Sequence, residues 1–131
     1  MSTAEAVTTA VPVHVVLGPE GGESTVATDT LALPPVPGLT GAARVYAGGL
    51  GAGPGTVFRF PAGFANDFHN APGTTWMLFL TGRFEVTTSD GSSVVLAAGD
   101  IVRFEDVTGP GHRSRVVSDE DVLVVTVDGA V

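Results

Sequence analysis

Short apolar runs separated by turn-forming residues dominate the pattern of this chain. Clusters of Gly, Pro, Asp and Ser interrupt the runs at intervals of roughly 8–12 residues, and no segment keeps the 3.6-residue period of an amphipathic helix. The pattern therefore predicts nine or ten short strands and no long helix. The predicted strands are 12–17, 25–33, 43–47, 56–60, 75–80, 83–88, 93–97, 101–104, 112–117 and 122–127.

Two local signals refine this prediction. The run at 75–80 (TWMLFL) is apolar throughout, which is typical of a strand buried on both faces. Asp90-Gly91 tolerates the positive φ angles of a tight turn and predicts a hairpin between 83–88 and 93–97. Many short strands with regular turns are typical of an all-β sandwich or barrel, and closing the sheets removes exposed edges. We expect one domain over residues 1–131, with residues 1–10 as a flexible tail.

Composition excludes several classes of chemistry. The chain has no Cys, so thiol catalysis, disulfides and thiolate metal sites are excluded. It also has no Lys, because all six basic residues are Arg, and this excludes Schiff-base catalysis. The formal net charge of −8 repels phosphate backbones and anionic lipids. We therefore expect a small-molecule partner rather than a nucleic acid or a membrane.

The chain carries no sign of export or of a phosphate loop. No apolar run approaches the ~18 residues needed to span a bilayer, and the N-terminal residues MSTAEAVTTA lack the features of a secretory signal. We expect a cytoplasmic protein. The glycine-rich segment 48–55 (GGLGAGPG) is interpreted as a connection between strands, because no Lys follows it and Pro54 interrupts it.

The stretch from Phe60 to Gly82 is the richest in candidate chemistry. It contains one of the three histidines of the chain, and a glycine-bounded frame runs through it. The positions that define this frame are Gly63, His69, Ala71, Thr75 and Gly82. A second frame begins at Gly99-Asp100 and reaches His112 through the segment EDVTGPG at 105–111.

The two frames resemble the two sequence motifs of the cupin superfamily, in the form of a small single-barrel cupin. The resemblance implies an all-β, cupin-type double-stranded β-helix (jelly-roll barrel) and a homodimer. Cupins usually hold iron, manganese, nickel or zinc with three His and one Glu. In this chain Ala71 stands at the second His position and Thr75 at the Glu position, and only His69 and His112 match metal ligands. The second motif also departs from its Pro-x-Gly centre and is slightly longer.

These residues leave three hypotheses for function. In the first, His69 and His112 act as acid and base in a metal-free barrel, and Asp67 orients His69 or serves as a base itself. Such an enzyme would be an isomerase, cyclase or dehydratase acting on a carbonyl- or enol-containing natural-product intermediate, such as a polyketide. The second is a metal-dependent oxygenase or isomerase in which His69, His112 and a carboxylate hold the ion, with Asp67 favoured over Glu105 and Asp106. The third is a non-catalytic barrel that binds a metabolite.

Other residues are candidates for the wall of a substrate pocket. Apolar pocket walls are usually built from aromatic and thioether side chains. The candidates of this kind are Trp76, Phe79, Met77, Phe64, Phe68 and Tyr46. Arg59 or Arg103 would hold a substrate carboxylate if its side chain faced inward. His14 is expected to be a partly exposed strand residue without a role in the site.

Overall fold

Nine strands form the part of the protein that the computed structural model describes, which is residues 8–19, 22–37 and 45–129. There is no helix in these ranges. The strands are β1 (Thr9–Leu17), β2 (Thr25–Leu33), β3 (Gly55–Phe60), β4 (Thr75–Phe79), β5 (Phe84–Thr88), β6 (Ser93–Leu96), β7 (Ile101–Glu105), β8 (His112–Val116) and β9 (Val122–Asp128).

Nine of the ten predicted strands are confirmed with small changes at their ends. β1 begins at Thr9, so Thr9 and Ala10 belong to a strand and not to the expected tail. Pro12 is tolerated there because this part of β1 pairs only with β2, and pairing with β7 starts at His14. Of the predicted strand 43–47, residues 43 and 44 lie outside the described ranges, and Tyr46 forms only an isolated bridge with Pro35.

The strands pair into two sheets, and the prediction of an all-β jelly roll is confirmed. The larger sheet has six strands in the order β2-β1-β7-β4-β9-β3, and the smaller has three in the order β6-β5-β8. All pairs are antiparallel except β1 with β7. The predicted hairpin at Asp90-Gly91 is also confirmed, since Gly91 has a φ of 90° between β5 and β6.

Alternating side chains of the central strands point into the barrel or onto the outer face of the large sheet. On β4, Met77 and Phe79 pack in the main core, while Trp76 and Leu78 pack in a second apolar cluster with Val13 and Val15 of β1. The prediction that this strand is buried on both faces is therefore confirmed. The two clusters fix the register of β4, because a one-residue slip would exchange its faces.

A few polar side chains are buried inside the barrel beside the main core. The inward face of β7 carries Val102 and Phe104, and that of β8 carries His112 and Ser114. Thr126 of β9 is buried on the same side, with 5% of its surface exposed. No helix within the described ranges is long and apolar enough to cross a membrane.

Candidate functional site

The barrel contains a cavity of about 280 Å³ at its polar end. Its wall combines four phenylalanines with a few polar side chains, which is the usual make-up of a small-molecule site. The wall residues are Phe58, Phe60, Asn66, His69, Ala71, Pro72, Thr75, Met77, Phe84, Phe104, His112, Ser114, Thr126 and Asp128. All four positions matched to cupin metal ligands, His69, Ala71, Thr75 and His112, are in this wall.

A pair of backbone hydrogen bonds brings the two histidines together. The N–H of His69 donates to the carbonyl of His112 at 2.9 Å, and the N–H of His112 donates to the carbonyl of His69 at 2.9 Å. This isolated antiparallel bridge sets the ring centroids 4.6 Å apart. His112 is 6% exposed and lies inside the barrel, whereas His69 is exposed at the cavity mouth.

Gly111 makes this bridge sterically feasible. Its φ is 74°, in the left-handed region that glycine adopts without strain. A Cβ atom at this position would lie 2.1 Å from the carbonyl oxygen of His69, which is inside van der Waals contact. The chain before β8 can therefore approach His69 only because residue 111 has no side chain.

Each histidine has its Nδ1 atom engaged by a neighbour. Nδ1 of His69 lies 3.0 Å from the carbonyl oxygen of Asp67, and because a carbonyl only accepts, this nitrogen carries the proton of the bond. Nδ1 of His112 lies 2.5 Å from Oδ2 of Asp106. In both rings Nε2 is then the nitrogen left for a ligand, and in the neutral ring it is an acceptor.

Asp106 is the buried carboxylate beside this site. It is 0% exposed, and its Oδ1 atom has no hydrogen-bond partner among the described residues. An unpaired buried carboxylate is strongly unfavourable, so the contact with His112 is what makes its burial tolerable. The pair therefore fixes the orientation of the His112 ring.

The loop that carries Asp106 is tied to the segment around His69. The amide of Asn70 donates from Nδ2 to the carbonyl of Gly109 at 2.9 Å and to that of Asp106 at 3.2 Å. The N–H of Ala71 also donates to the carbonyl of Asp106 at 3.2 Å. Ser24, fully buried, donates to the carbonyl of Gly111 at 2.6 Å. These bonds position the Asp106–His112 pair without using the ring nitrogens of His112 or the carboxylate oxygens of Asp106.

The expectation that the Asp67 carboxylate faces the cavity is wrong. Asp67 is exposed, its Oδ1 accepts the N–H of Phe68 at 2.8 Å, and only its backbone carbonyl contacts His69. The alternation of side chains along a strand does not apply here, because this segment is not a continuous strand. It forms isolated bridges at Ala65 and His69. Asp106, which the sequence argument ranked lower, takes the supporting role instead.

Asp106 can be identified from the alternation of buried and half-buried residues along β7, because this alternation continues to the residue after the strand. Val102, Phe104 and Asp106 are buried, whereas Ile101, Arg103 and Glu105 are half-buried. Continuing the strand period by one residue would have placed Asp106 on the inward face. The predicted strand ended at residue 104, so this alternation was not extended to Asp106.

The predicted pocket residues separate into two groups. Met77 lines the cavity, and Phe64 packs against the main core beside Phe60, with the ring centroids 4.9 Å apart. Phe79 and Trp76 are each 2% exposed, in the main core and in the outer cluster respectively. These two buried residues, together with Phe64, Phe68 and Tyr46, are not in the cavity wall.

The predicted arginines also point away from the cavity. Arg59 is exposed and pairs with Asp121 at 3.7 Å. Arg103 lies over the Trp76 ring and binds Glu105 and Asp29 on the outer face of the large sheet. A hydrogen bond from the N–H of Thr30, and to a smaller extent one from Arg103, holds the pKa of Asp29 below its usual value. Strand alternation explains both placements, since Arg59 and Arg103 have outward parity.

The donor set does not fit the metal site of the cupin family. Within the described part of the chain, no group of three or more His, Asp or Glu side chains is placed to hold an ion. Ala71 and Thr75 supply no imidazole or carboxylate at the two remaining positions, and Asp106 contacts Nδ1 of His112, on the side of the ring away from Nε2. Two imidazoles alone make a weak site.

Comparisons with known proteins find distant structural similarity only. No protein family model matches it, and no curated protein sequence matches it significantly. Among solved structures it is similar to a cupin domain from Bordetella pertussis (18% identity, 73% of this chain, 91% of that chain, TM-score 0.44). It is also similar to an RmlC-like cupin protein from Desulfovibrio desulfuricans (17% identity, 88% and 81%, TM-score 0.41). The Cnp3 cupin domain of Schizosaccharomyces pombe is a third (13% identity, 91% and 84%, TM-score 0.46).

Replacing Gly111 with alanine tests the bridge between the histidines. We expect Gly111→Ala to lower the free energy of unfolding by about 2–4 kcal/mol, since it adds positive-φ strain and a clash with His69. The matched control is Gly91→Ala, whose φ is 90° but whose Cβ meets nothing within 4 Å. Chemical denaturation should show a loss of only about 1 kcal/mol for this control. Equal losses in the two variants would contradict the account of the bridge.

Elemental analysis tests the mismatch between these residues and a metal cage. We expect protein purified without chelator to hold clearly less than one iron, manganese, nickel or zinc ion per chain, because only two imidazoles are available. Added chelator should leave the melting temperature unchanged. A stoichiometric ion that is lost in His69→Ala would support the metal-dependent alternative instead.

Proposed function

We propose that this small cupin-type barrel is an enzyme that moves protons on a neutral, largely apolar molecule with a carbonyl or enol group. The observation that carries the proposal is the buried Asp106–His112 pair, with its second ring nitrogen available to a cavity that His69 also lines. A histidine held by a buried carboxylate and facing an apolar site is a recurrent arrangement for general acid–base catalysis.

The proposed reaction needs two positions for proton transfer. Nε2 of His112 removes a proton from a hydroxyl or from carbon next to a carbonyl, and Asp106 stabilises the resulting imidazolium. His69, exposed at the cavity mouth, takes a proton from solvent at Nε2 and delivers it to the other end of the enol system, and His112 then releases its proton to solvent. The sum is an isomerisation, in which one C–H or O–H bond breaks, another forms, and no oxidant or reductant is consumed.

We further propose the setting of this reaction. The resemblance to small cupins with few metal ligands favours natural-product tailoring, such as the isomerisation, cyclisation or dehydration of a polyketide intermediate, in the cytoplasm. A homodimer would cover the outer edges of β2 and β3, which have one strand neighbour each in the described chain. On β3, Val57 is 64% exposed and is not in the cavity wall, which favours burial against a second copy.

Hydrogen–deuterium exchange at carbon tests the proposed chemistry without the natural substrate. The probe is 1,3-dihydroxynaphthalene, a neutral enol-like molecule whose ring hydrogens exchange through its keto form. In D₂O we expect the protein to accelerate this exchange, followed by NMR. His112→Ala should lower the catalysed rate by about 100-fold or more, and Asp106→Asn by about 10-fold or more.

His14→Ala is the matched control, because His14 lies in β1 and is not in the cavity wall. It should retain the full exchange rate, and circular dichroism should show that all three variants are folded. Binding of the probe with no acceleration of exchange would favour the non-catalytic metabolite-binding barrel. Full exchange in His112→Ala would contradict the assignment of the base.

A further inference from the structure

The hydroxyl groups in the cavity wall are already used as donors. Thr75 donates from Oγ1 to the carbonyl of Gly73 at 3.0 Å, and Thr126 donates from Oγ1 to the carbonyl of Thr56 at 3.4 Å. A hydroxyl has one hydrogen and two lone pairs, so each of these oxygens can only accept a further bond. The two threonines therefore offer acceptors to a ligand.

Ser114 follows the same rule. Its Oγ donates to Oδ1 of Asn66 at 3.1 Å, and the same oxygen of Asn66 accepts the N–H of Ser114 at 2.9 Å. The Asn66 NH₂ group is then the neutral side-chain donor that remains in the described wall. The neutral histidines add two acceptors, since Nδ1 of His69 and of His112 are both engaged.

The charges in and near the wall are negative. Asp128 lines the cavity, and Asp106 lies directly behind His112. No arginine is among the wall residues, and the chain has no lysine. A carboxylate or phosphate entering this cavity would lose its hydration without gaining a fixed cation, and it would approach two carboxyl groups.

We infer that the cavity selects neutral, flat molecules that carry several hydrogen-bond donors, namely polyhydroxylated aromatic or enolic compounds, and that it excludes anions. The inference rests on the proposed function in that the same cavity is the active site. The acceptors of Thr75, Thr126 and Asp128 bind the hydroxyl groups of the ligand, while the phenylalanines contact its ring faces. This replaces the earlier expectation of a substrate carboxylate held by Arg59 or Arg103.

Calorimetric titration with three naphthalene probes tests this selectivity at neutral pH. The probes are 1,3-dihydroxynaphthalene, 1,3-dimethoxynaphthalene, which keeps the ring but has no donors, and 1-naphthoate, which is an anion. We expect the diol to bind at least about ten-fold more tightly than either of the others. Equal affinity for the diol and the dimethyl ether, tighter binding of naphthoate, or no binding of the diol at its solubility limit would each overturn the inference.

Asp128→Asn tests the charge contribution separately. Asp128 is at the exposed end of β9, so this change removes a charge without opening the core. It should raise the affinity for 1-naphthoate at least about three-fold relative to the diol. Asp119→Asn removes the same charge from an exposed turn outside the wall and should leave the ratio unchanged. Equal changes in both variants would show an effect of net charge only and would overturn the local role of Asp128.

The titration distinguishes this inference from the proposed catalysis. Binding is measured without turnover, so a preference for the diol can hold even if His112→Ala leaves proton exchange unchanged. That result would remove the catalytic proposal and keep the ligand class. Conversely, if exchange depends on His112 while the three probes bind equally, catalysis stands and the ligand class is wrong.

Discussion

The double hydrogen bond between the backbones of His69 and His112 is the constraint on which the site depends. It joins the irregular segment before β4 to the start of β8, a strand of the smaller sheet. Backbone hydrogen bonds from Asn66 to Ser114 and from Val116 to Phe64 join the same two segments nearby. Gly111 allows the chain before β8 to approach His69, because a side chain at this position would clash with the carbonyl of His69. The bridge sets the two rings side by side. They are the only two imidazoles in the described part of the cavity wall.

The buried carboxylate of Asp106 determines what the two neighbouring histidines can do chemically. Burying Asp106 is unfavourable for stability, and the contact with His112 compensates only in part, since one carboxylate oxygen stays without a partner in the described structure. A buried acid in contact with a histidine, next to an apolar cavity, is the feature that most favours proton transfer over a purely structural role.

Much of the fold could be predicted from the sequence, because period-two alternation and the glycine turns determine strands directly. The site was predicted less completely. His69 and His112 were found through their spacing from Gly63 and Gly99, but their common location depends on the bridge, which no local pattern encodes. Asp67 was chosen over Asp106 because a strand was assumed where the backbone is irregular. The prediction that Trp76 and Phe79 line the pocket was also wrong, because the two residues pack in different clusters on opposite faces of β4.

The central claim is that Asp106 holds His112 with its proton on Nδ1, so that Nε2 is the nitrogen that exchanges protons in the cavity. Nitrogen-15 NMR of the histidine rings in their neutral form measures this directly, because the nitrogen that carries the proton has a different chemical shift from the nitrogen that does not. The account predicts that the proton of the neutral His112 ring is on Nδ1 and that Nε2 carries none. Protonation of Nε2 in the neutral ring, with Nδ1 bare toward a protonated Asp106, would contradict it.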